Sequence, residues 1–396
     1  MSSTTDTVPA GTERRRLHGL DALRALALGL GIVLHTMLAY IPDSGWLVTD
    51  SVTDPAAGLP VYVIHLFRMT TFMLLAGYFG AMMLGRRGPG GYLRDRLLRI
   101  GLPLVAFWPI SVGGMVALVV LGAAVLGTPV PVPPEPPPGT PTGLLALSPG
   151  QLWFLLVLME IIVVWLVLRA VATTVLGAER VQRLVAAAGG LLAGPAGMPV
   201  ATLPYLVALL VQGSGGGIVE PRTLVPSLPA LIGYGGAFAV GWALHAHPES
   251  LRRIARAWPV HLGIAVLATV LGALVEGWGA PLVVSAGVTA LAGTAWTYGL
   301  LGLFAGVLDR YSPTVRYLSD SAYWVYLLHL PVLIGIQLLM VDLPWPIPVK
   351  VLVTWVVAGV LLLVSYDVLV RGTWVGRWLN GRRHRPVLLR RGHAEA

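Results

Sequence analysis

Arg24 and His35 lie eleven residues apart in one apolar run, LHGLDALRALALGLGIVLHTMLAY. In a helix, eleven steps of about 100° return His35 to within about 20° of Arg24, roughly 16 Å further along the axis. One stripe therefore carries a permanent cation near its start and a titratable imidazole deep inside. Asp21 precedes Arg24 by three residues and can pair with it. An imidazole, whose ordinary pKa is near 6.5, can take a proton from a hydroxyl, and a guanidinium can hold an anion.

Further polar residues interrupt apolar runs. His65 and Arg68 stand three apart, on one face of a second helix that leads into AGYFG. There Arg68 is expected either to snorkel toward headgroups or to serve a site. Glu160 falls in the middle of QLWFLLVLMEIIVVW, where a carboxylate must be paired or protonated. Arg24, Arg68 or a neighbouring histidine are the candidate partners. In LSDSAYWVYLLHLP, Ser319, Tyr323, Tyr326 and His329 recur at helical spacing, a stripe expected to face a bundle interior or a wet cavity, with Pro331 kinking the helix. Trp46 and Trp153 suit an interfacial belt as well as a pocket. Arg94, Arg96 and Arg99 cluster before another apolar run. They suit headgroup contact or a phosphate clamp equally, since guanidinium forks match phosphate oxygens.

These residues need apolar helices to position them. Of 396 residues, 56% are hydrophobic and 11% charged, and mean hydropathy is +0.78. A soluble domain carries about 25% charged residues. Runs of roughly twenty apolar residues, enough to cross about 30 Å of hydrocarbon, recur along the chain. The composition predicts an all-α polytopic membrane bundle of about ten transmembrane helices. The spans fall near 19–41, 61–84, 101–127, 151–172, 196–212, 226–246, 259–276, 281–307, 320–341 and 349–370. Gly189, Gly190, Gly194, Pro195 and Gly197 break the approach to the fifth, where a short interfacial helix fits. The first segment is expected to stay as a span, not to be cleaved as a signal peptide, because its apolar run is long and other spans follow.

The net charge of +9 is almost entirely arginine, with Lys350 the sole lysine, and it sits in alternate loops. Arg14–Arg16, Arg86–Arg99, Arg180 and Arg183, Arg252–Arg256, Arg310 and Arg316, and the run from Arg371 to Arg391 fall on one side. Asp43, Asp50, Asp54, Glu135, Glu220, Glu276 and Asp342 fall on the other, with Arg222. By the positive-inside rule both termini are expected in the cytoplasm of a plasma or inner-membrane protein. This distribution marks orientation; no nucleic-acid partner is expected. The chain divides into a tail at 1–18, a transmembrane domain at 19–371 and a basic tail at 372–396. The external PVPVPPEPPPGTP loop is expected to be extended. GSGGG at 213–217 reads as a flexible turn, since no strand precedes it and no helix-opening lysine follows. With no cysteine in the chain, disulfides and thiolate chemistry are excluded. No metal site is expected either, His245 and His247 being only two apart.

Five ordered segments together resemble the acyltransferase-3 superfamily of integral membrane O-acyltransferases, with most likeness to the branch that succinylates periplasmic glucans. They are LDALRALALGLGIVLH with its R-x10-H spacing, FRMTTFMLLAGYF at 67–79, RLLR at 96–99, LWFLLVLME at 152–160, and LSDSAYWVYLLHLPV at 318–332. The likeness runs from residue 19 to about residue 370. It implies transfer of a short acyl group, acetyl or succinyl, from a cytosolic acyl-CoA to a hydroxyl of an extracytoplasmic sugar or glycan. It makes His35 the catalytic base and Arg24 its partner, and Arg96 and Arg99 the donor-binding arginines; Glu160, by its depth in the apolar run, is a third catalytic candidate. Asp21, Arg68, Trp153, Tyr323, Tyr326 and His329 are pocket candidates, the two tyrosines and Trp153 also for holding an oxyanion. No bound cofactor is implied beyond the donor itself. Ala76 stands where the family commonly has serine, and no attached hydrolase-like domain is expected.

The chemistry fits without the likeness, for moving an acyl group from a thioester to an alcohol needs a base and a cation for the anionic donor. A proton-coupled transporter is the main rival, because buried His, Glu and Arg also build proton relays. A scaffold without chemistry has no use for them.

Overall fold

The computed structural model describes residues 17–128, 142–381, 383–385 and 387. The extended-loop expectation and most of the basic tail lie outside these residues. Every regular element among them is helical. In order these are α1 (His18–Met37), α2 (Gly58–Arg96), α3 (Leu102–Trp108), α4 (Gly114–Leu126), α5 (Trp153–Leu176), α6 (Ala178–Leu192) and α7 (Gly197–Gln212). Then follow α8 (Leu228–Ala246), α9 (Ser250–Gly277), α10 (Leu282–Gly306), α11 (Pro313–Met340), α12 (Ile347–Ser365) and α13 (Trp374–Asn380).

Among the described residues, seven helical stretches are long and apolar enough to cross a membrane, or eight when α6 and α7, bent by 103°, count as one broken span. The figure of ten is thus approximate. The stretch Pro55–Leu126 holds both the second and third expected spans. The helix α8, diluted by Gly233, Gly235, Gly236 and Gly241, falls outside that set although it packs among the others. At Gly88 the backbone adopts φ 68° and ψ 173°, followed by Pro89, so the chain turns between two helices there. Only glycine tolerates that φ without strain. Two helices also outrun their expected spans: α9 begins at Ser250 and α11 at Pro313, so Arg252, Arg253, Arg256 and Arg316 lie within the first two turns of these helices and not in loops. The α11 helix continues through Pro331.

Two helices lie at the centre. Buried residues make up 67% of the apolar window of α10 and 61% of that of α11, against 33% or less for α1, α5, α9 and α12. Small residues let backbones meet in the absence of a strong hydrophobic drive between helices in lipid. Ala286, Ala290, Gly293, Thr297 and Gly302 line α10, and a Cβ at Gly302 would come 2.6 Å from the Ile254 carbonyl of α9. The crossing of α2 and α8 is reciprocal: Gly77 lies against the Phe238 carbonyl, and Gly241 against the Leu74 carbonyl. Outward faces keep their valines and leucines exposed, as on α4, α5, α9 and α12, the pattern of a bundle solvated by lipid.

Candidate functional site

A cavity of about 1600 Å³ runs through the bundle between α1, α2 and α11. Its walls follow from helical periodicity. From α1 it takes Asp21, Arg24, Leu28, Gly31 and His35, with Leu38 just past its end, steps of three or four that trace one face. The face of α2 is Tyr62, His65, Arg68, Phe72, Ala76 and Phe79, and that of α11 is Ser319, Tyr323, Tyr326 and Leu330, with His329 beside them. Arg96, Arg99, Leu379 and Asn380 line one end, while Trp46, Gln151, Glu220 and Arg222 line the other. From Asp21 to His35 the wall of α1 alone extends roughly 21 Å.

The arginine-rich end is organised by one carboxylate. Asp95, 6% exposed, meets Arg87, Arg96 at 3.1 Å and Arg99 at 3.2 Å. A π-helical turn at Leu97–Gly101 interrupts the regular ladder here, which frees carbonyls for other donors. The Tyr323 hydroxyl donates to the Arg99 carbonyl at 2.7 Å, and the Trp378 indole to that of Leu98 at 2.7 Å. Asn380 of α13 donates to the Asp320 carbonyl at 2.9 Å. So α13, placed by sequence in the tail, forms part of the cavity mouth.

Further in, Arg24 donates to the Ser319 hydroxyl at 3.3 Å and the Ser319 carbonyl at 3.4 Å. Among the described residues it has no carboxylate partner, so the expected Asp21–Arg24 pair gives way to a tie between α1 and α11. One stripe on α1 puts Asp21 within reach of Arg24, but Arg24 points across to the neighbouring helix.

His35 stacks on Trp46, with ring centroids 5.4 Å apart and 19° between planes, and lies 5.3 Å from the His329 ring. Gln337 fixes the arrangement: its amide nitrogen donates to the His35 carbonyl at 3.1 Å, and its oxygen accepts from the Trp46 indole at 3.1 Å. The Nδ1 of His35 is enclosed without a partner, leaving Nε2 as the nitrogen open to the cavity. His329 Nδ1 lies 2.8 Å from the Tyr326 carbonyl. Because a carbonyl only accepts, Nδ1 carries the proton and Nε2 the lone pair.

Three expectations are revised. The Tyr326 hydroxyl donates to the Gln151 carbonyl at 2.7 Å, so both tyrosines spend their protons on backbone and neither is free to donate to an oxyanion. Glu160 does not line the cavity, and its Oε2 is enclosed without a partner. The expected pairing with Arg24, Arg68 or a histidine is absent among the described residues, since α5 turns that position away from α1 and α2. GSGGG is also more than a loose turn. Gly217, at φ 114°, packs against His65, and a Cβ there would lie 2.9 Å from the imidazole.

Of the other expected residues, Arg68, Trp153 and His329 line the cavity with His35, Arg24, Arg96 and Arg99. Sequence reading missed Asp95, Gln151 and Gln337. Gln337 carried a signal, a lone amide inside LIGIQLLM. Gln151, only 8% exposed with both amide atoms unpartnered, lies at a helix entry where glutamine is unremarkable.

The family model of the acyltransferase domain, Acyl_transf_3, matches residues 17–369. Among curated proteins, glucans biosynthesis protein C of Shigella dysenteriae serotype 1 (strain Sd197) is 33% identical over 98 residues, 24% of this chain and 25% of the relative. The protein of the same name from Escherichia coli (strain SMS-3-5 / SECEC) is 32% identical over 98 residues, with the same shares. The chain thus matches about a quarter of the length of these relatives. No solved structure matches it. A family match that opens at the residue before α1, closes beyond α12 and encloses the whole cavity wall from these helices establishes that this multi-pass membrane protein belongs to the Acyl_transf_3 family of acyltransferases.

Proposed function

We propose that the protein transfers a short acyl group, acetyl or succinyl, from a cytosolic acyl-CoA to a hydroxyl of a sugar or glycan on the opposite side of a plasma or inner membrane. The observation that carries this reading is the single cavity joining the Arg96–Arg99 end to His35 and Trp46. Ligand pockets commonly measure about 300–1,000 Å³, so this volume accommodates two substrates entering from opposite ends. The donor phosphates would meet Arg96 and Arg99, and its pantetheine arm would pass Arg24 to bring the thioester beside His35. The arginine-rich loops support a cytoplasmic position for that end and for both termini, by the positive-inside rule.

In the reaction, the acceptor hydroxyl attacks the thioester carbonyl carbon while its proton passes to His35 Nε2. The tetrahedral intermediate then collapses. Its C–S bond breaks, and the leaving thiolate recovers the proton from the imidazolium. No cysteine stands ready to carry an acyl intermediate, so direct transfer is the simplest route. The relatives' name, glucans biosynthesis protein C, supports a glycan as acceptor.

The test uses full-length protein in nanodiscs with acetyl-CoA, then succinyl-CoA, and a short glucan as acceptor, while free thiol is followed. Release that disappears in His35→Ala, with folding intact, is the expected result. A folded wild type that neither binds nor cleaves either donor would sink the reading and favour a transporter.

A further inference from the structure

The cavity interior is lopsided in charge. Between its mouths it presents Arg24, Arg68, His35, His65 and His329, while the lining carboxylates Asp21, Asp320 and Glu220 belong to its ends. Arg68 is the extreme case. No hydrogen bond or ion pair joins it to another described residue, and its Nε is enclosed without a partner. Buried donors are rarely left unmatched, and an ionised one in a membrane protein is usually functional.

Its position is specific. Arg68 occupies a notch in α1 made by Gly31, where a Cβ would come 2.9 Å from Nη1. Gly31 precedes His35 by four residues on the same face, one helical turn or about 6 Å away. Four other donors around His35 are engaged, while the unpartnered Gln151 amide at the same end of the cavity is uncharged. Tyr323 bonds the Arg99 carbonyl, Tyr326 that of Gln151, Trp46 the Gln337 amide oxygen, and His329 Nδ1 the Tyr326 carbonyl. The guanidinium of Arg68 is the cation left at the level of the base.

We infer that Arg68 is a catalytic residue, its guanidinium holding the oxyanion of the tetrahedral intermediate formed beside His35. The inference rests on the acyl-transfer reading above. As the C–O bond forms and His35 takes the hydroxyl proton, the carbonyl π electrons move to oxygen. The negative charge appears one turn from the imidazole, within reach of the Nη nitrogens. When the C–S bond breaks the carbonyl re-forms and the charge leaves with the thiolate, which takes the proton back. Gly31 is the residue that makes room for this cation, and an aligned donor in a water-poor site acts most strongly where charge develops.

The experiment compares wild type, Arg68→Gln, Arg68→Lys and Gly31→Ala in nanodiscs, measuring donor affinity and the rate of thiol release at saturation for acetyl-CoA and succinyl-CoA. Arg68→Gln is expected to bind both donors within about threefold of wild type and to lose on the order of 10²–10³ in rate. Arg68→Lys is expected to recover at least about tenfold of that loss, because it restores the charge without the fork. If Arg68→Gln does not fold, Gly31→Ala carries the test: it displaces Nη1 with the charge retained and is expected to slow release about tenfold at unchanged affinity. A wild-type rate in the folded variant overturns the assignment. So does weakened donor binding at an unchanged saturated rate. A loss confined to succinyl-CoA also overturns it, by assigning Arg68 to the donor's carboxylate. A wild type inert toward both donors overturns instead the acyl-transfer reading on which it rests.

Discussion

Removing the Lys350 ammonium tests how the loop over His35 is held. Lys350 is fully buried on α12 and meets both oxygens of Asp50 at 2.7 and 2.8 Å; Asp50 keeps only 7% exposure. Around this pair the loop is pinned by Asp50 N–H to the Ala39 carbonyl at 2.9 Å and by the Ser51 hydroxyl to the Val341 carbonyl at 2.8 Å. The same loop presents Trp46 to His35. Breaking a buried pair on one side strands a charge and destabilises by about 3–5 kcal/mol, whereas replacing both partners with apolar or neutral groups can be nearly neutral. Lys350→Met is therefore expected to lose about 3–5 kcal/mol, and the double variant with Asp50→Asn to recover most of it. Asp50→Asn also keeps an oxygen able to accept from the Val52 N–H, which donates to Asp50 Oδ1 at 2.9 Å. Denaturant titration of detergent-solubilised protein, followed by tryptophan fluorescence, reads all three. Lys350→Met within about 1 kcal/mol of wild type, or a double variant no more stable than the single, would refute the reasoning.

Three further outcomes are expected. Tyr326→Phe should lower stability by about 1–3 kcal/mol, because the buried Gln151 carbonyl loses its donor, and should change the saturated rate of thiol release less than tenfold. A larger rate loss would return the hydroxyl to the chemistry. Trp46→Ala should lower that rate on the order of 10²-fold, since His35 loses the ring that orients it, and Trp46→Phe should restore part of it; the check is saturated thiol release with donor affinity measured alongside. Gly77→Val drives a side chain into the Phe238 carbonyl at the crossing of α2 and α8, which should destabilise by at least about 1–3 kcal/mol and lower the unfolding midpoint in the same titration.

The sequence by itself determined the class of the molecule and much of its cavity wall. A mean hydropathy of +0.78 leaves helices in lipid as the architecture, because backbone groups in hydrocarbon must be satisfied internally. Helical periodicity then puts Arg24 and His35 on one face of α1, and Ser319, Tyr323 and Tyr326 on one face of α11, as both helices carry them along the cavity. Periodicity fixes the face of a helix but not the partner across from it, since a polar side chain reaches several neighbours and takes the one the packing offers. For that reason only the tertiary structure decided that Arg24 meets Ser319 and not Asp21, that Tyr323 and Tyr326 spend their hydroxyls on the Arg99 and Gln151 carbonyls, and that Glu160 is turned away. The same holds for the Gly31 notch and the Lys350–Asp50 pair, 300 residues apart in the chain. Neither has a local signature, because each depends on where two separate helices or a loop come to lie against one another.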